Sequence, residues 1–498
     1  MTTCTSRNTG TAAVRKPLGA ASALLAALVL AGCASQGPQH QPLAQLNGSE
    51  LGLAAHSTGS AADATDATAL ASGQWWTGLG DARLNQLIDQ ALAGNPSLAA
   101  SNARFEKAAA LATASSTASD IRGTLGADGT RQRYTANGMI PYPIAGHVYN
   151  SGNVQAGVSW SPDFFGKHAA DLESALGQAR AARADSAAAS TQLAAQVARS
   201  YVALARLIAQ KEVAQRTLAQ RQSLLNLSEQ RTRAGLDSQV ELTQAQAAMP
   251  DARTQIEMLD EQISLARRTI AVLCAQAPDA QNALSPKLAG LRIQPVPQVL
   301  GTDLLGRRPD VVAARWRVEA ATRSIDSAKA DFYPDVNLTA FIGLNAIGFD
   351  NIFQASSRQM GVTPALRLPI FDGKRLRAQL RGKQADLDTA IAQYNGVVLD
   401  AVKQAGDSIT SVQSLQRQQV LQQESLAKAE RAYDFAVQRY RAGLGNQITV
   451  LNTETQMITQ RRLAVDLQAR ELDTRVALAA ALGGGWSDDT AGVQVSSK

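Results

Sequence analysis

The chain has 498 residues, of which 18% are charged and only 4% are aromatic, and its formal net charge is +6. Residues 1–32 hold three cations and no acid, so the charge of the remaining chain is +3. This weakly basic balance argues against nucleic acid as a partner, and the abundance of Ala, Gln and Leu favours long, closely packed helices over an aromatic-rich core.

The N-terminus is typical of a secretory signal over residues 1–32. Three cations precede an apolar run at 20–30, and Leu30-Ala31-Gly32-Cys33 follows. A cysteine directly after Leu-Ala-Gly resembles the bacterial lipobox, although an ordinary signal peptide with a chance cysteine is the alternative. Cys33 is therefore the predicted lipid attachment site, bearing diacylglycerol and palmitate. Ala34 resembles the signature of lipoproteins sent to the outer membrane of a Gram-negative bacterium.

Residues 33–72 are rich in Gln, Ala, Ser, Thr and Gly, which predicts a lipid-anchored N-terminal tether. The folded part is expected to begin near residue 73, just before Trp75-Trp76. No apolar run of about 20 residues follows the signal, so the sequence predicts no transmembrane helix, and any membrane crossing needs β-strands. Cys274 has no disulfide partner and is expected to be a small, buried apolar residue.

Near-identical peptides indicate an internal duplication. Residues 231–239 read Arg-Thr-Arg-Ala-Gly-Leu-Asp-Ser-Gln, and residues 439–447 read Arg-Tyr-Arg-Ala-Gly-Leu-Gly-Asn-Gln. Two further peptide pairs recur in the same order at similar offsets: 162–167 with 369–374, and 96–106 with 309–319. Repeats at one long spacing predict two copies of one unit. We place them at 73–285 and 300–485, followed by a flexible tail at 486–498.

Each copy contains apolar residues that alternate with polar ones. In the first copy the alternation is clearest from Val154 to Trp160, and in the second from Val336 to Ala346. We predict one β-hairpin per copy, at about 121–162 and 335–371. Such alternation over roughly ten residues is expected of a membrane β-strand, but a soluble sheet with one wet face gives the same pattern. The periodicity leaves both open, and the lipid anchor favours the membrane.

A long helix is predicted after each hairpin, because 166–234 and 374–442 contain no proline. Apolar residues recur in steps of three and four, for example Leu193, Val197, Tyr201 and Leu204 in the first copy. A stripe of this length predicts coiled-coil packing. Each copy then returns along a second helix, at roughly 238–276 and 446–482. Pro250 is expected to kink the first return helix.

Both long helices are predicted to end at Ala-Gly-Leu, in turns at 231–240 and 439–448. Gly235 and Gly443 stand where a helix favours a left-handed residue after its last turn. Asp237 and Asn446 are candidates to cap the helices that follow.

Two hairpins supply four strands, whereas a closed membrane barrel needs about eight or more. Several copies must therefore share one barrel. The chain resembles the TolC-like outer-membrane efflux factors, in particular their lipoprotein branch of the NodT and OprM type. The resemblance rests on the lipobox, both Arg-x-Arg-Ala-Gly-Leu turns and three further motifs: Phe165-Gly166-Lys167, Arg307-Arg308-Pro309-Asp310 and Leu368-Pro369-Ile370-Phe371-Asp372-Gly373.

That resemblance implies a mainly α fold with a β-barrel portion. It implies a long coiled-coil α-barrel in the periplasm and a trimeric, 12-stranded transmembrane β-barrel with four strands per protomer. The implied function is the exit duct of a tripartite efflux system for drugs or small toxic compounds. The implied partners are two copies of the same chain in a homotrimer, a periplasmic adaptor, outer-membrane lipid, and an inner-membrane pump of the resistance-nodulation-division or major-facilitator class.

Two alternatives remain open: an exit duct for type I-like protein or peptide secretion, and a non-conducting trimeric coiled-coil surface lipoprotein. An enzyme is disfavoured. None of the four histidines pairs at metal-ligand spacing, and neither a phosphate-binding loop nor a Ser-His-Asp framework is found. We therefore expect no cofactor and no metal.

The resemblance also gives roles to individual residues. It places both turns at the periplasmic tip, where the adaptor would contact six residues: Arg231, Gly235, Leu236, Arg439, Gly443 and Leu444. Many relatives carry aspartates just after the second turn, but this chain has Thr449 and Asn452 there, with Glu454 nearby. These three are candidates for the aperture. Because a glutamate on a helix is ordinarily solvated, we expect no strong acidic ring and weak cation selectivity.

Overall fold

The computed structural model describes residues 40–46, 73–292 and 306–486. Cys33, the predicted signal peptide, most of the predicted tether and nearly all of the predicted tail lie outside the described residues. Within the described ranges, no helix combines the length and the apolar character needed to cross a membrane.

One order of elements occurs twice in the described residues, namely helix, β-hairpin, very long helix and return helix, and the first series has one additional helix at its start. The first series comprises α1 (Ala82–Gly94), α2 (Pro96–Ser116), β1 (Arg122–Arg133), β2 (Val148–Trp160), α3 (Lys167–Arg233) and α4 (Gln239–Leu273). The second comprises α5 (Pro309–Ala330), β3 (Asp335–Ile347), β4 (Arg358–Arg367), α6 (Gly373–Arg441) and α7 (Gln447–Ala481).

The chain divides into two compact units. One contains the strands, in Thr113–Ser174 and Ala321–Asp388, together with the described residues of Met1–Pro42. The other contains the described residues of Leu43–Ala112, Ala175–Ala320 and Thr389–Lys498.

The long helices follow from the absence of proline and from their apolar stripes. α3 has 67 residues and α6 has 69. The predicted stripe of α3 is buried, with Val197 and Leu204 fully inaccessible to solvent. α4 continues as helix through Pro250. Cys274, as expected, is buried, and burial raises the pKa of its thiol to about 11.

The strands form one antiparallel sheet in the order β1-β2-β3-β4. The register aligns Leu125, Ala156, Ile342 and Met360 in one row across it. Since side chains of paired residues share a face, the alternating apolar residues of all four strands lie on one face. Leu125, Ile342 and Met360 are each more than half exposed.

The opposite face of the sheet is polar. Asn153 donates a hydrogen bond to Asp128 at 3.1 Å and accepts one from Gln359 at 2.8 Å. The sheet therefore has one wettable face and one exposed apolar face, whereas a sheet packed in a soluble domain buries its apolar face against a core.

Within the described residues, the largest apolar core lies in the helical unit. Trp75, Trp76 and the apolar side of α1 pack there against the buried stripe of α3 and the C-terminal halves of both return helices. The side chain of Asp81 caps α1 through the amides of Arg83 and Leu84, and it accepts a hydrogen bond from the hydroxyl of Tyr201 at 2.7 Å.

Candidate functional site

The candidate site consists of the two turns that follow α3 and α6. In the first, Leu236 N–H donates to the Arg231 carbonyl at 2.9 Å and Gly235 N–H donates to the Thr232 carbonyl at 3.1 Å. This pair of bonds is a Schellman motif, and it requires a left-handed residue. Gly235 supplies that residue with φ 74°.

The second turn repeats this geometry bond for bond. Leu444 N–H donates to the Arg439 carbonyl at 2.9 Å, and Gly443 N–H donates to the Tyr440 carbonyl at 3.1 Å. Gly443 also has φ 74°. Both long helices therefore end at their Ala-Gly-Leu peptides, with the glycine in the predicted left-handed conformation.

The caps of the return helices differ from the prediction in one copy. Asn446 caps α7 by accepting from the amide of Thr449. α4 is capped by Ser238, which forms a capping box with Glu241, so the proposed cap at Asp237 is wrong. The Ser-x-x-Glu spacing at 238–241 is the sequence signal for this cap.

Asp237 instead joins the two turns. Arg231 donates to both carboxylate oxygens of Asp237, at 2.9 and 3.1 Å, and the Tyr440 hydroxyl donates to the same carboxylate at 2.5 Å. Arg231 also donates to the Tyr440 carbonyl at 3.0 Å, and its guanidinium lies 4.7 Å from the centre of the Tyr440 ring. These three residues, which we call the turn cluster, were not predicted from the sequence.

The turn cluster has no counterpart in the second turn. Gly445 occupies the position equivalent to Asp237, and a Cβ atom there would lie 3.4 Å from the Arg439 Cβ. Arg439 is exposed and donates to the Leu444 carbonyl at 3.2 Å. The two arginines predicted to be equivalent are therefore different: Arg231 is held within the protein, and Arg439 is available at the surface.

An exposed apolar pair lies beside each turn. Leu236 and Val240 in the first copy are 65% and 63% exposed, and Leu444 and Ile448 in the second are 71% and 56% exposed. The members of each pair are four residues apart and straddle the start of a return helix. Apolar side chains repeated at matching positions indicate a contact surface rather than scattered exposure.

The three aperture candidates are not equivalent. Thr449 and Asn452 are exposed on the first turns of α7. The side chain of Glu454 is only 1% exposed and lies 3.3 Å from the guanidinium of Arg221 on α3. Its interpretation as a solvated residue is wrong, because a helix-to-helix ion pair removes it from water. The burial of Glu454 also removes it as an aperture group in this structure.

Since Thr449 and Asn452 carry no charge, the channel that the resemblance implies is expected to discriminate weakly between cations and anions. The reversal potential in a salt gradient across a planar bilayer measures this selectivity. Asn452→Asp is expected to shift that potential toward cations and to introduce block by divalent cations from the turn side. Strong divalent block of the unmodified channel that disappears on replacing Asn452 would contradict the expectation.

The turn cluster has a defined pH dependence. Burial alone raises the pKa of the Asp237 carboxyl, but the hydrogen bonds from Arg231 and Tyr440, with the charge of Arg231, outweigh it, so the pKa lies below its ordinary value. A carboxyl with a lowered folded pKa stabilises the fold above its unfolded pKa, about 3.9. That stabilisation is lost as the pH falls through the folded value.

We therefore expect acid to loosen the first turn. A spin label at position 239 is expected to become more mobile as the pH falls below about 4. Asp237→Asn is expected to give the mobile spectrum already at neutral pH, with little further change in acid. An immobile label in Asp237→Asn at pH 7 would show that the cluster does not hold the turn.

This duplicated fold, with its paired, capped turns, defines the subunit of an outer-membrane efflux channel. It matches the crystal structure of the outer membrane protein VceC of Vibrio cholerae with a TM-score of 0.78 and 33% identity, over 83% of this chain and 98% of that one. The sequence profile of the outer membrane efflux protein family matches residues 87–276 and 300–484. The chain belongs to this family.

Two relatives in sequence support the assignment. The multidrug resistance outer membrane protein MdtQ of Escherichia coli is 31% identical over 92% of this chain and 96% of its own length. The fusaric acid resistance protein FusA of Burkholderia cepacia is 36% identical over 74% of this chain and 69% of its own. Family membership confirms the predicted resemblance, the mainly helical fold with a β portion, and a transport rather than an enzymatic role.

Proposed function

We propose that this chain is the outer-membrane exit duct of a tripartite efflux system and works as a homotrimer. Each protomer contributes four strands to one closed, 12-stranded barrel and its long helices to a continuous duct. Cys33 carries the lipid that anchors each protomer to the outer membrane. The duct catalyses no reaction, and an inner-membrane pump drives transport.

The observation that carries this proposal is that the sheet has two unpaired edges and an exposed apolar face. In the described residues, β1 and β4 each have one neighbouring strand, so each presents an unpaired edge. One face of the sheet is apolar and exposed, as lipid contact requires. Backbone groups in lipid must all be paired, and an unpaired edge pairs readily with another chain. Pairing of β4 in one protomer with β1 of the next satisfies both demands.

The turns supply the surface for a periplasmic adaptor. The exposed pairs Leu236/Val240 and Leu444/Ile448 lie beside exposed arginines, of which Arg233 and Arg441 occupy equivalent positions. A matching partner presents apolar side chains flanked by carboxylates. Because the turn cluster exists in one copy only, the adaptor meets two different surfaces on each protomer.

The names of MdtQ and FusA associate those proteins with resistance to drugs and to a small organic acid. We infer small toxic organic compounds as the substrates here. The pump is of the resistance-nodulation-division or the major-facilitator class.

Two measurements test the proposal. Purified protein in planar bilayers is expected to conduct in steps that correspond to single trimers. Coexpressed adaptor is expected to co-purify with the channel and to be lost from the double variant Leu236→Asp, Leu444→Asp. The double variant Leu236→Met, Leu444→Met keeps the apolar surface and is expected to retain the adaptor. A trimer without conductance would reject the channel function. Equal adaptor recovery with the wild type, the aspartate double variant and the methionine double variant would reject adaptor binding at the turns.

A further inference from the structure

The start of α6 carries an unusual concentration of positive charge. Five of the ten residues in 374–383 are cations: Lys374, Arg375, Arg377, Arg381 and Lys383. The first turn of α6 contains no acid. Cations at a helix N-terminus are unfavourable, because the helix dipole presents its positive end there. The equivalent start of α3 lacks this concentration, so the charge is not a property of the repeat.

Three of these cations have no carboxylate partner within the described residues. Arg375 pairs with Asp372 and Lys383 with Asp386. Lys374, Arg377 and Arg381 are left, spaced by three and four residues, which places them on one side of the helix. The side of α6 that packs inward is a different one, formed by Leu376, Leu380 and Leu387. We call these three unpaired residues the basic stripe.

Exposed apolar side chains directly precede the basic stripe. Phe371 is 97% exposed and Ile370 is 53% exposed. The equivalent corner of the first copy presents Phe164 at 67% and Phe165, whose ring stacks on Tyr333 at a centroid distance of 5.1 Å. Both corners follow strands whose apolar face is exposed. Aromatic residues at the end of such strands are typical of a membrane interface, and an interface at these corners would set the start of the basic stripe at the level of lipid headgroups.

The N-terminal segment gives an independent measure of the distance to lipid. His40 Nε2 lies 3.0 Å from the carboxylate of Asp388, which is on α6 beyond the basic stripe. His40 is seven positions after Cys33, and seven such steps along the chain reach at most about 25 Å. Asp388 lies about 21 Å along the helix from Lys374 and about 10 Å from Arg381. A lipid on Cys33 can therefore reach the level of the basic stripe.

We propose that Lys374, Arg377 and Arg381 bind the phosphate groups of anionic phospholipids, while Phe371 and Ile370 enter the adjoining acyl region. The site holds the channel at a fixed depth in the leaflet that faces the periplasm. Clusters of cations beside a membrane segment are known to select anionic lipids. The inference rests on the proposed outer-membrane channel and on lipid attachment at Cys33, and it names the lipid that this channel prefers.

Lipid counting tests the site in the full-length trimer. The protein is reconstituted in nanodiscs of phosphatidylcholine with a minor share of phosphatidylglycerol, and the lipids that remain bound after extraction are counted by native mass spectrometry. We expect phosphatidylglycerol to be enriched at least about fivefold over its share in the nanodisc, the factor that one cation near an anionic surface supplies. The enrichment is expected to disappear in Lys374→Gln, Arg377→Gln, Arg381→Gln.

Two further triple variants serve as controls. Replacing three other exposed arginines without ion-pair partners in the described chain, Arg417, Arg431 and Arg470, with glutamine removes the same charge and is expected to preserve the enrichment. Lys374→Arg, Arg377→Lys, Arg381→Lys keeps the charge of the basic stripe and is also expected to preserve it.

Bilayer conductance separates the two proposals. If the wild type fails to conduct, the proposed channel function fails. If it conducts and the glutamine variant of the basic stripe still enriches phosphatidylglycerol, the lipid site is refuted. A changed ion selectivity in that variant with unchanged lipid enrichment would place the basic stripe in the channel lumen and overturn the inference.

Discussion

Replacing Gly235 or Gly443 with valine is expected to abolish efflux while the trimer still forms and inserts into the membrane. Both glycines have φ 74°, a conformation that costs an ordinary L-residue about 1–2 kcal/mol and a β-branched residue more. The strain would break the Schellman motif and move Leu236 or Leu444, the exposed residues that follow the glycines. The minimal inhibitory concentration of an exported drug measures the loss of efflux.

Steric collision with the rest of the fold does not explain the expected effect, since no described atom beyond the two neighbouring residues in the chain lies within 4 Å of a Cβ built on either glycine. The efflux that each variant retains should therefore depend only on how well the new residue tolerates the left-handed backbone conformation. Asparagine tolerates the left-handed region, so Gly235→Asn is expected to retain most efflux, Gly235→Ala to lose part of it, and Gly235→Val to lose all of it.

Gly396 provides the matched control. It lies in the interior of α6 and does not have a positive φ, and no described atom outside its own helix backbone and chain neighbours lies within 4 Å of an added Cβ. Gly396→Ala is expected to leave efflux intact, because alanine favours a helix by about 1 kcal/mol over glycine. Trimers that resist mild detergent show that assembly is preserved in every variant. Normal drug resistance with Gly235→Val and Gly443→Val would refute a functional role for the turns.

Local sequence signals predicted the backbone of the site well. The absence of proline predicted α3 and α6 almost to their ends, and the glycines of the Ala-Gly-Leu peptides predicted left-handed residues at both turns. These features depend on residues close together in the chain, where backbone preferences act directly.

Contacts between distant residues were not predictable in the same way. The sequence predicts a local capping role for Asp237, yet its carboxylate binds Tyr440, 203 positions later. The sequence predicts a solvated Glu454, yet this residue contacts Arg221, 233 positions earlier. A single sequence reveals which side chains can form such pairs but not which helices bring them together.

Removing the guanidinium of Arg221 is expected to destabilise the helices around Glu454 by about 3–5 kcal/mol, the usual cost of leaving a buried charge unpaired. The Glu454 side chain is 1% exposed and that of Arg221 is 20% exposed. Arg221 also donates to the Ala248 carbonyl at 2.9 Å, so Arg221→Ala would affect α3, α4 and α7 together. Hydrogen exchange of peptides around positions 221, 248 and 454 measures the local loss.

The two members of this pair are expected to respond differently. Burial raises the pKa of the Glu454 carboxyl, and the charge of Arg221 lowers it only in part. A raised folded pKa in an acid means that stability is lost as the pH rises through that value. Glu454→Gln removes the ionisation and leaves the more exposed Arg221 in contact with water, so its effect is expected to be well below that of Arg221→Ala.

Arg216→Ala is the control for Arg221→Ala, because it removes the same side chain from the same helix. Arg216 lies on the same helix, its side chain is 69% exposed, and it pairs with Glu212 in the same helix, so the expected cost is below about 1 kcal/mol.

The double variant Arg221→Met, Glu454→Leu removes both charges and is expected to recover most of the protection lost in Arg221→Ala, since apolar pairs replace buried ion pairs well. Equal hydrogen exchange in Arg221→Ala and Arg216→Ala would mean that Glu454 is exposed to solvent in the assembled trimer. Glu454 would then again be a candidate aperture residue.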